Sequence, residues 1–532
     1  MSRSRSAMLT WGAFLVFTAV TMVTGLVTTP LILRALGEDR YGVVRALTEA
    51  FGYLVLVGQG ITVALVPALA TARARGDDAA VHRTLAASLR LFGLTALGAV
   101  VLGLAALPGL TWLIQVAPAL RHELRAAWLV GLAGLPLMTL TPLKLLIEVN
   151  HRGYLVNLLM TLQGVVAALL SVVLARGGWG VTGVLFATLV ASLLFHGLLL
   201  ALAVKLSPGL PAAVVRARPE RADWRSVLGH SGPTFVAMFS ERIGVLSDSI
   251  VLSGVLGPAA ATVLFVTQRL PSLGQTVLSA ITNAIWPALA ELHAREEFDA
   301  FNRRLIELTR LIVMLGVAGM APVVAYNHQF VTLWVGPGQD GGLAIAVAGA
   351  ANGVLLTLVL LYSVAFVSTG RVRLLAGPAA LSAGVNLVAS VVLSRLFGPV
   401  GPLLGTALAT LGVFGWYLPW QLSRTFGTPV RGLLWAVAVP LAWGLPYAWV
   451  LRVLAAGRLL GWFGLAIEVG LAALAFLTFG VWVILGADDR ALWRARLWPS
   501  RASRRGDHLV ADVGPPPHPA AARPPSPTRG EG

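Results

Sequence analysis

Runs of about 20 or more apolar residues recur from Met8 almost to residue 485, the length a helix needs to cross about 30 Å of hydrocarbon. Lipid offers no hydrogen bonds to a peptide backbone, so each such run has to close its amide bonds internally as a helix. With 57% of its 532 residues apolar and only 12% charged, the chain carries more apolar surface than a soluble fold of this length can hide. The expected fold class is an all-α polytopic membrane protein. Met8–Leu33 is too long for a signal-peptide core and lacks an evident cleavage site, so it reads as the first membrane helix. Fourteen helices are expected, at roughly 8–33, 43–70, 85–107, 126–149, 154–175, 180–205, 228–255, 259–287, 305–327, 341–368, 374–394, 401–423, 433–451 and 460–485.

The chain also repeats itself. Shifted by 220 residues, Leu36–Leu91 lies on Leu256–Leu311 without a gap, and 18 of the 56 positions are identical. Val66-Pro67-Ala68-Leu69-Ala70 falls on Trp286-Pro287-Ala288-Leu289-Ala290, Arg83 on Arg303 and Arg90-Leu91 on Arg310-Leu311. Shared apolar bias alone would not bring arginines and a proline into register. The expected organisation is an N-lobe of helices 1–6 (residues 1–205), a cytoplasmic linker rich in Pro and Arg (206–227) and a C-lobe of helices 7–12 (228–425). Helices 13 and 14 follow (426–486). A basic, Pro-rich tail (487–532) is expected to be disordered. Six helices per lobe is an even number, so the two repeats enter the membrane in parallel, around a pseudo-two-fold axis along its normal. Such a fold places a cavity between the lobes.

A net charge of +17 invites a nucleic-acid reading, but its distribution argues for topology. With the N-terminus in the cytoplasm, 28 of the 40 basic residues fall on that side and eight on the other, as the positive-inside rule requires. Nucleic acid is therefore not an expected partner, and anionic lipid headgroups are. The chain has no cysteine, which excludes disulfides, thiol catalysis and thiolate metal sites. It contains no GxxxxGK[ST] loop, no H-E-x-x-H metal motif and no assignable Ser/His/Asp arrangement. No catalytic or metal-binding residue is expected, and no extramembrane segment is long enough for a catalytic domain.

Ionisable groups inside the helices mark the site, because each costs roughly 2.5–3.5 kcal/mol at mid-bilayer. They are Arg45 and Glu49 in helix 2, Lys144 and Glu148 in helix 4, Glu241, Arg242 and Asp248 in helix 7, Arg269 in helix 8 and Glu468 in helix 14. Arg45/Glu49 and Lys144/Glu148 have the i,i+4 spacing at which opposite charges neutralise each other. Arg242, Arg269 and Arg45 are the candidates for contact with an anionic substrate. Glu49, Glu241 and Asp248 are candidates for charge balance or for a coupling ion. Glu49 and Arg269 are equivalent under the 220-residue shift, so the cavity would be polar but asymmetric. Glu468 is either a packing partner or part of a lateral groove. Gln163, His196, Asn352 and Asn386 read mainly as interhelical hydrogen-bonding residues. Pro30, Pro136, Pro142, Pro271 and Pro287 are candidate hinges, or ordinary kinks.

Leu36-Gly37-Glu38-Asp39-Arg40-Tyr41-Gly42 resembles the LG-x-x-x-YG turn of bacterial polysaccharide flippases of the Wzx type. The basic segment Ala70–Arg83 resembles their loop between helices 2 and 3, and Pro287-Ala288-Leu289-Ala290 matches its counterpart in the second lobe. These proteins belong to the multidrug/oligosaccharidyl-lipid/polysaccharide exporter superfamily. The resemblance covers about residues 8–425 and implies transport rather than enzymatic activity. The implied function is flipping of a polyprenyl-diphosphate-linked oligosaccharide across the bacterial cytoplasmic (inner) membrane by alternating access, for cell-surface polysaccharide biosynthesis, with both termini cytoplasmic. No cofactor is called for; Na⁺ or H⁺ is the candidate coupling ion. Beyond the lipid-linked oligosaccharide, polysaccharide polymerase and glycosyltransferases are the candidate partners. Two alternatives stay open: a cation-coupled drug or metabolite antiporter, and a non-transporting membrane scaffold for polysaccharide assembly.

Overall fold

A computed structural model describes residues 3–221, 223–224, 247–458 and 460–485. The described residues are almost entirely helical, with no β-strand among them. Helix α1 (Arg3–Leu36) leads into α2 (Glu38–Leu54), α3 (Leu56–Ala74) and α4 (Asp78–Ala106). Next come α5 (Arg121–Gly134), α6 (Thr141–Ile147), α7 (Gly153–Arg176), α8 (Gly180–Leu206) and the short α9 (Leu210–Arg216). After residue 246 the chain continues with α10 (Asp248–Val255), α11 (Pro258–Thr267), α12 (Arg269–Ala294), α13 (Phe298–Val335), α14 (Leu343–Ser368) and α15 (Arg373–Phe397). The remaining helices are α16 (Gly401–Ala409), α17 (Gly415–Phe426), α18 (Val430–Ala455) and α19 (Trp462–Phe479). Met1–Leu477 forms one compact unit and Thr478–Gly532 a second, whose described residues are helical to Ile484.

The 220-residue repeat reappears in the helix ends. α2 begins at Glu38 and α11 at Pro258; α3 ends at Ala74 and α12 at Ala294; α4 begins at Asp78 and α13 at Phe298. Gly37 (φ 79°) and Gly257 (φ 95°) cap α2 and α11, in a backbone region that a side chain disfavours. That conformation explains the glycine of the LG turn in both halves. The interiors differ. The first broken helix interrupts at Val55 and the second at Gln268, which corresponds to position 48 in repeat register.

Nine helical stretches among the described residues are long and apolar enough to span a membrane. The expected fourteen do not appear as separate spans. Two of the nine, 118–176 and 373–426, are longer than one crossing, since 1.5 Å per residue would carry either of them more than twice the ~30 Å core. The first turns at His151 (φ 59°) and the second at Gly398 (φ 73°). α12 falls short of the apolar criterion because of Arg269, Ser272, Gln275, Ser279 and Asn283. α13 continues eight residues beyond the expected end at 327, through Tyr326-Asn327-His328-Gln329. The expected linker holds α9, and Arg83 of α4 reaches back to Asp223 (3.6 Å) and Glu220 (4.0 Å).

Packing follows the sequence's apolar stripes. Leu65 and Leu69 of α3 share one buried core with Leu85 and Phe92 of α4 and with Phe195 and Leu199 of α8. α1 lies along α7, and α13 lies along α18. Trp435, Trp443 and Trp449 of α18 and Phe14 and Leu15 of α1 remain exposed, an apolar exterior that only a lipid solvent makes favourable.

Candidate functional site: a charged cavity between the repeats

The repeat-equivalent helices α2 and α11 meet side by side. Gly42 makes this possible, because a Cβ there would sit 1.8 Å from the Pro258 carbonyl oxygen. Thr262 Oγ1 donates to Glu38 O (2.7 Å), and the Tyr41 ring lies 5.9 Å from that of Phe265. The LG-x-x-x-YG segment is therefore one contact between the two halves. Further ties gather nearby. Gln115 N–H donates to Ser253 O (3.0 Å), Trp334 Nε1 to Leu26 O (2.6 Å) and Gln339 Nε2 to Glu38 Oε1 (2.5 Å).

Along these helices opens a cavity of about 300 Å³, lined by Arg45, Glu49, Asp248, Ser249, Gln268 and Arg269 among others. The volume is that of a small-ligand site. Arg45 lies 3.8 Å from Glu49 and stacks its guanidinium 3.9 Å over the Phe265 ring, a cation–π contact between the halves. Glu49 is only 6% exposed, and a carboxylate so buried needs hydrogen bonds. It accepts them from Ser249 N–H (2.9 Å) and Ser249 Oγ (2.5 Å), at the first turn of α10. Arg269 is the first residue of α12, at the break. Its guanidinium lies against α1, where a Cβ on Gly25 would stand 2.7 Å from Nη2. Arg45 Nε, Arg269 Nε and Asp248 Oδ1 are buried and have no hydrogen-bond partner among the described residues. Two cationic side chains and two acids thus line one cavity.

Four of the six residues singled out from the sequence, Arg45, Glu49, Asp248 and Arg269, share this one cavity. Glu241 and Arg242 lie outside the described residues. Lys144 and Glu148 pair with each other at 3.8 Å, away from the cavity lining. Glu468 accepts from Tyr326 Oη (2.6 Å) and from Arg458 Nη1 (2.9 Å), which makes it a packing partner. Gln163 bridges to Ser192 (3.1 Å), while His196 bonds its own helix at Ser192 O (2.8 Å). Sequence reasoning missed Gly25, Ser249 and Phe265. Their residue types are common in membrane helices, and their roles arise only when α1, α10 and α11 are brought together.

A family model described as "Polysaccharide biosynthesis protein" matches residues 10–293, more than half of the chain. The chain belongs to that family. No curated protein sequence matches it. A structure of the lipid II flippase MurJ in an inward closed conformation shares its fold, with a TM-score of 0.68 and 15% identity over 89% of this chain and 99% of the other. A multidrug resistance MATE family transporter of the MOP superfamily is similar in its inward-facing conformation, with a TM-score of 0.56 and 16% identity over 82% of this chain and 99% of the other. An outward-facing conformation of such a transporter gives 0.52, with 17% identity over 85% and 97%. This member of the polysaccharide biosynthesis family is thus a multi-pass membrane protein with a MurJ- and MATE-like transporter fold. The solved structures that share its fold are those of a flippase and of multidrug transporters.

Proposed function

We propose that the chain flips a polyprenyl-diphosphate-linked oligosaccharide across the bacterial cytoplasmic membrane by alternating access, serving cell-surface polysaccharide biosynthesis. The observation that carries this reading is a cavity between the repeats lined by two arginines, Arg45 and Arg269. A diphosphate head cannot cross hydrocarbon unaided, and guanidinium is the side chain best matched to phosphate oxygens. In this reading Arg45 and Arg269 hold the head group. Glu49 and Asp248 balance the arginines or bind a coupling cation, and the prenyl tail stays in lipid. The proposed lobes, residues 1–205 and 228–425, rock about the α2–α11 contact. The basic face, with both termini, lies in the cytoplasm, so the ties around Glu38 close the opposite side.

The test is reconstitution in proteoliposomes with a labelled polyprenyl-diphosphate oligosaccharide, following its appearance in the opposite leaflet. The wild type is expected to accelerate exchange, and Arg45→Gln/Arg269→Gln to lower the rate at least tenfold while the protein remains folded. Unchanged flipping by that variant would discard the head-group assignment. No acceleration by the wild type would discard the flippase. Asp248, with its unpartnered Oδ1, and the multidrug-transporter neighbours support a second reading, cation-coupled antiport. It is tested by cation efflux in the same vesicles.

A further inference from the structure

Helix α13 carries four polar residues in succession, Tyr326-Asn327-His328-Gln329. At 3.6 residues per turn, four consecutive side chains point around the whole circumference of the helix, and each meets a different partner. Tyr326 donates to Glu468 of α19 (2.6 Å). Asn327 Nδ2 donates to Thr267 O at the end of α11 (3.0 Å). His328 Nδ1 lies 2.7 Å from Asp340 Oδ2. Gln329 Nε2 donates to the carbonyls of Ala455 (3.3 Å) and Arg458 (2.8 Å), pinning the end of α18 to α13.

This last tie holds Arg452 at the rim of a second cavity of about 250 Å³. Asn327, His328, Asp340 and the start of α14 at Gly342 and Leu343 also line it. No residue among those described lines both this cavity and the one around Arg269. Asn327 is 2% exposed, and its Oδ1 has no hydrogen-bond partner among the described residues. Such an oxygen bears its full desolvation penalty until something donates to it, and it only accepts. Asp340 is already held by His328 and by Gly342 N–H (3.2 Å). Arg452 has no partner among the described residues. Together with the amides at the start of the 26-residue α14, it favours an anion.

We infer that this cavity binds an anion carrying a neighbouring hydroxyl group. The acid would meet Arg452 and the hydroxyl would donate to Asn327 Oδ1. Two sources offer that chemistry: a sugar acid, and a glycerophosphate lipid headgroup. The inference stands apart from the translocation reading, because the two cavities are separate.

The test uses the full chain in phosphatidylcholine nanodiscs, titrated with D-glucuronate, and with glucose and acetate as the two halves of the ligand. A second arm uses nanodiscs of mixed phosphatidylcholine and phosphatidylglycerol and counts the lipids retained by native mass spectrometry. Arg452→Gln removes the charge, and Asn327→Leu removes the acceptor together with the tie to Thr267. Leu343→Trp narrows the cavity from its exposed rim and leaves the buried amide in place, so it carries the test if Asn327→Leu fails to fold. Glucuronate binding that weakens about tenfold or more in each folded variant, with no selective lipid retention, supports the site and assigns it to a sugar acid. Selective retention of phosphatidylglycerol that is lost in the variants supports it and assigns a lipid. Binding of neither, binding indifferent to the variants, or glucose or acetate binding as well as glucuronate overturns it.

Discussion

Arg269 owes its position to a residue that has no side chain. Gly25 leaves room for the guanidinium, and a Cβ there would stand 2.7 Å from Nη2. Because the clashing atom is the far end of a flexible side chain, Gly25→Val should displace the arginine and leave the fold standing. We expect Gly25→Val to slow flipping as much as Arg269→Gln does, with a stability change within about 1 kcal/mol. Flipping assays beside thermal unfolding in detergent check this. Undiminished flipping would show that Arg269 does not act from this position. The charges of the cavity were legible in the sequence, since Arg45, Glu49, Asp248 and Arg269 stand out in apolar helices where ionisable groups are costly. Gly25 was not legible, because one glycine among the 57 of this chain gains meaning only from what lies across from it.

At the scale of elements, the contact between α2 and α11 depends on a close approach of backbones. A methyl group at position 42 would meet the Pro258 carbonyl oxygen at 1.8 Å, and no rotamer change relieves a clash with backbone. Gly42→Ala should therefore part the two helices, costing about 1–3 kcal/mol. It should also speed thiol labelling of an added Gln268→Cys from the face that carries Glu38. Gly12→Ala, with nothing within 4 Å of the added atom, is the neutral control. Equal melting and labelling for the two would refute the contact as a closure. The register of the two turns was readable, since Leu36-Gly37 falls on Leu256-Gly257 and both glycines take positive φ, but the helix ends were not: the expected starts at 43, 85 and 305 lie five to seven residues inside the observed 38, 78 and 298. Nor were the breaks. Val55 (φ −90°, ψ −7°) and Gln268 (φ −79°, ψ −3°) turn out of the helix through ψ near zero, a conformation any residue can take, and neither is glycine or proline. The expected hinges Pro30 and Pro287 sit inside continuous helices, and Pro142 stands at a helix start, where its missing N–H costs nothing. Tyr326–Gln329 read as the end of a helix because polar residues broke the apolar pattern. Their partners on four other segments keep the helix intact.

At the scale of the whole molecule, the ties between the halves gather at the end that holds Glu38, Gln115, Ser253 and Gln339. The chain has no native cysteine, so an added pair reports without background. Gln115 N and Ser253 O are 3.0 Å apart, which brings the two residues within the range a disulfide bridges. Oxidised Gln115→Cys/Ser253→Cys is expected to lose at least nine-tenths of its flipping and to regain it on reduction. Full activity in the oxidised state would mean that this end does not open. The two broken helices carry a further consequence. Their interruptions stand seven residues apart in repeat register, roughly 10 Å along a helix. Halves related by an axis along the membrane normal would, if identical, line the chamber with like groups on both flanks. These do not: Arg269 stands at the second break, while its repeat equivalent Glu49 lies inside unbroken α2. A cargo entering between them has one way round to dock rather than two equivalent ones. That single orientation is written into where two helices break.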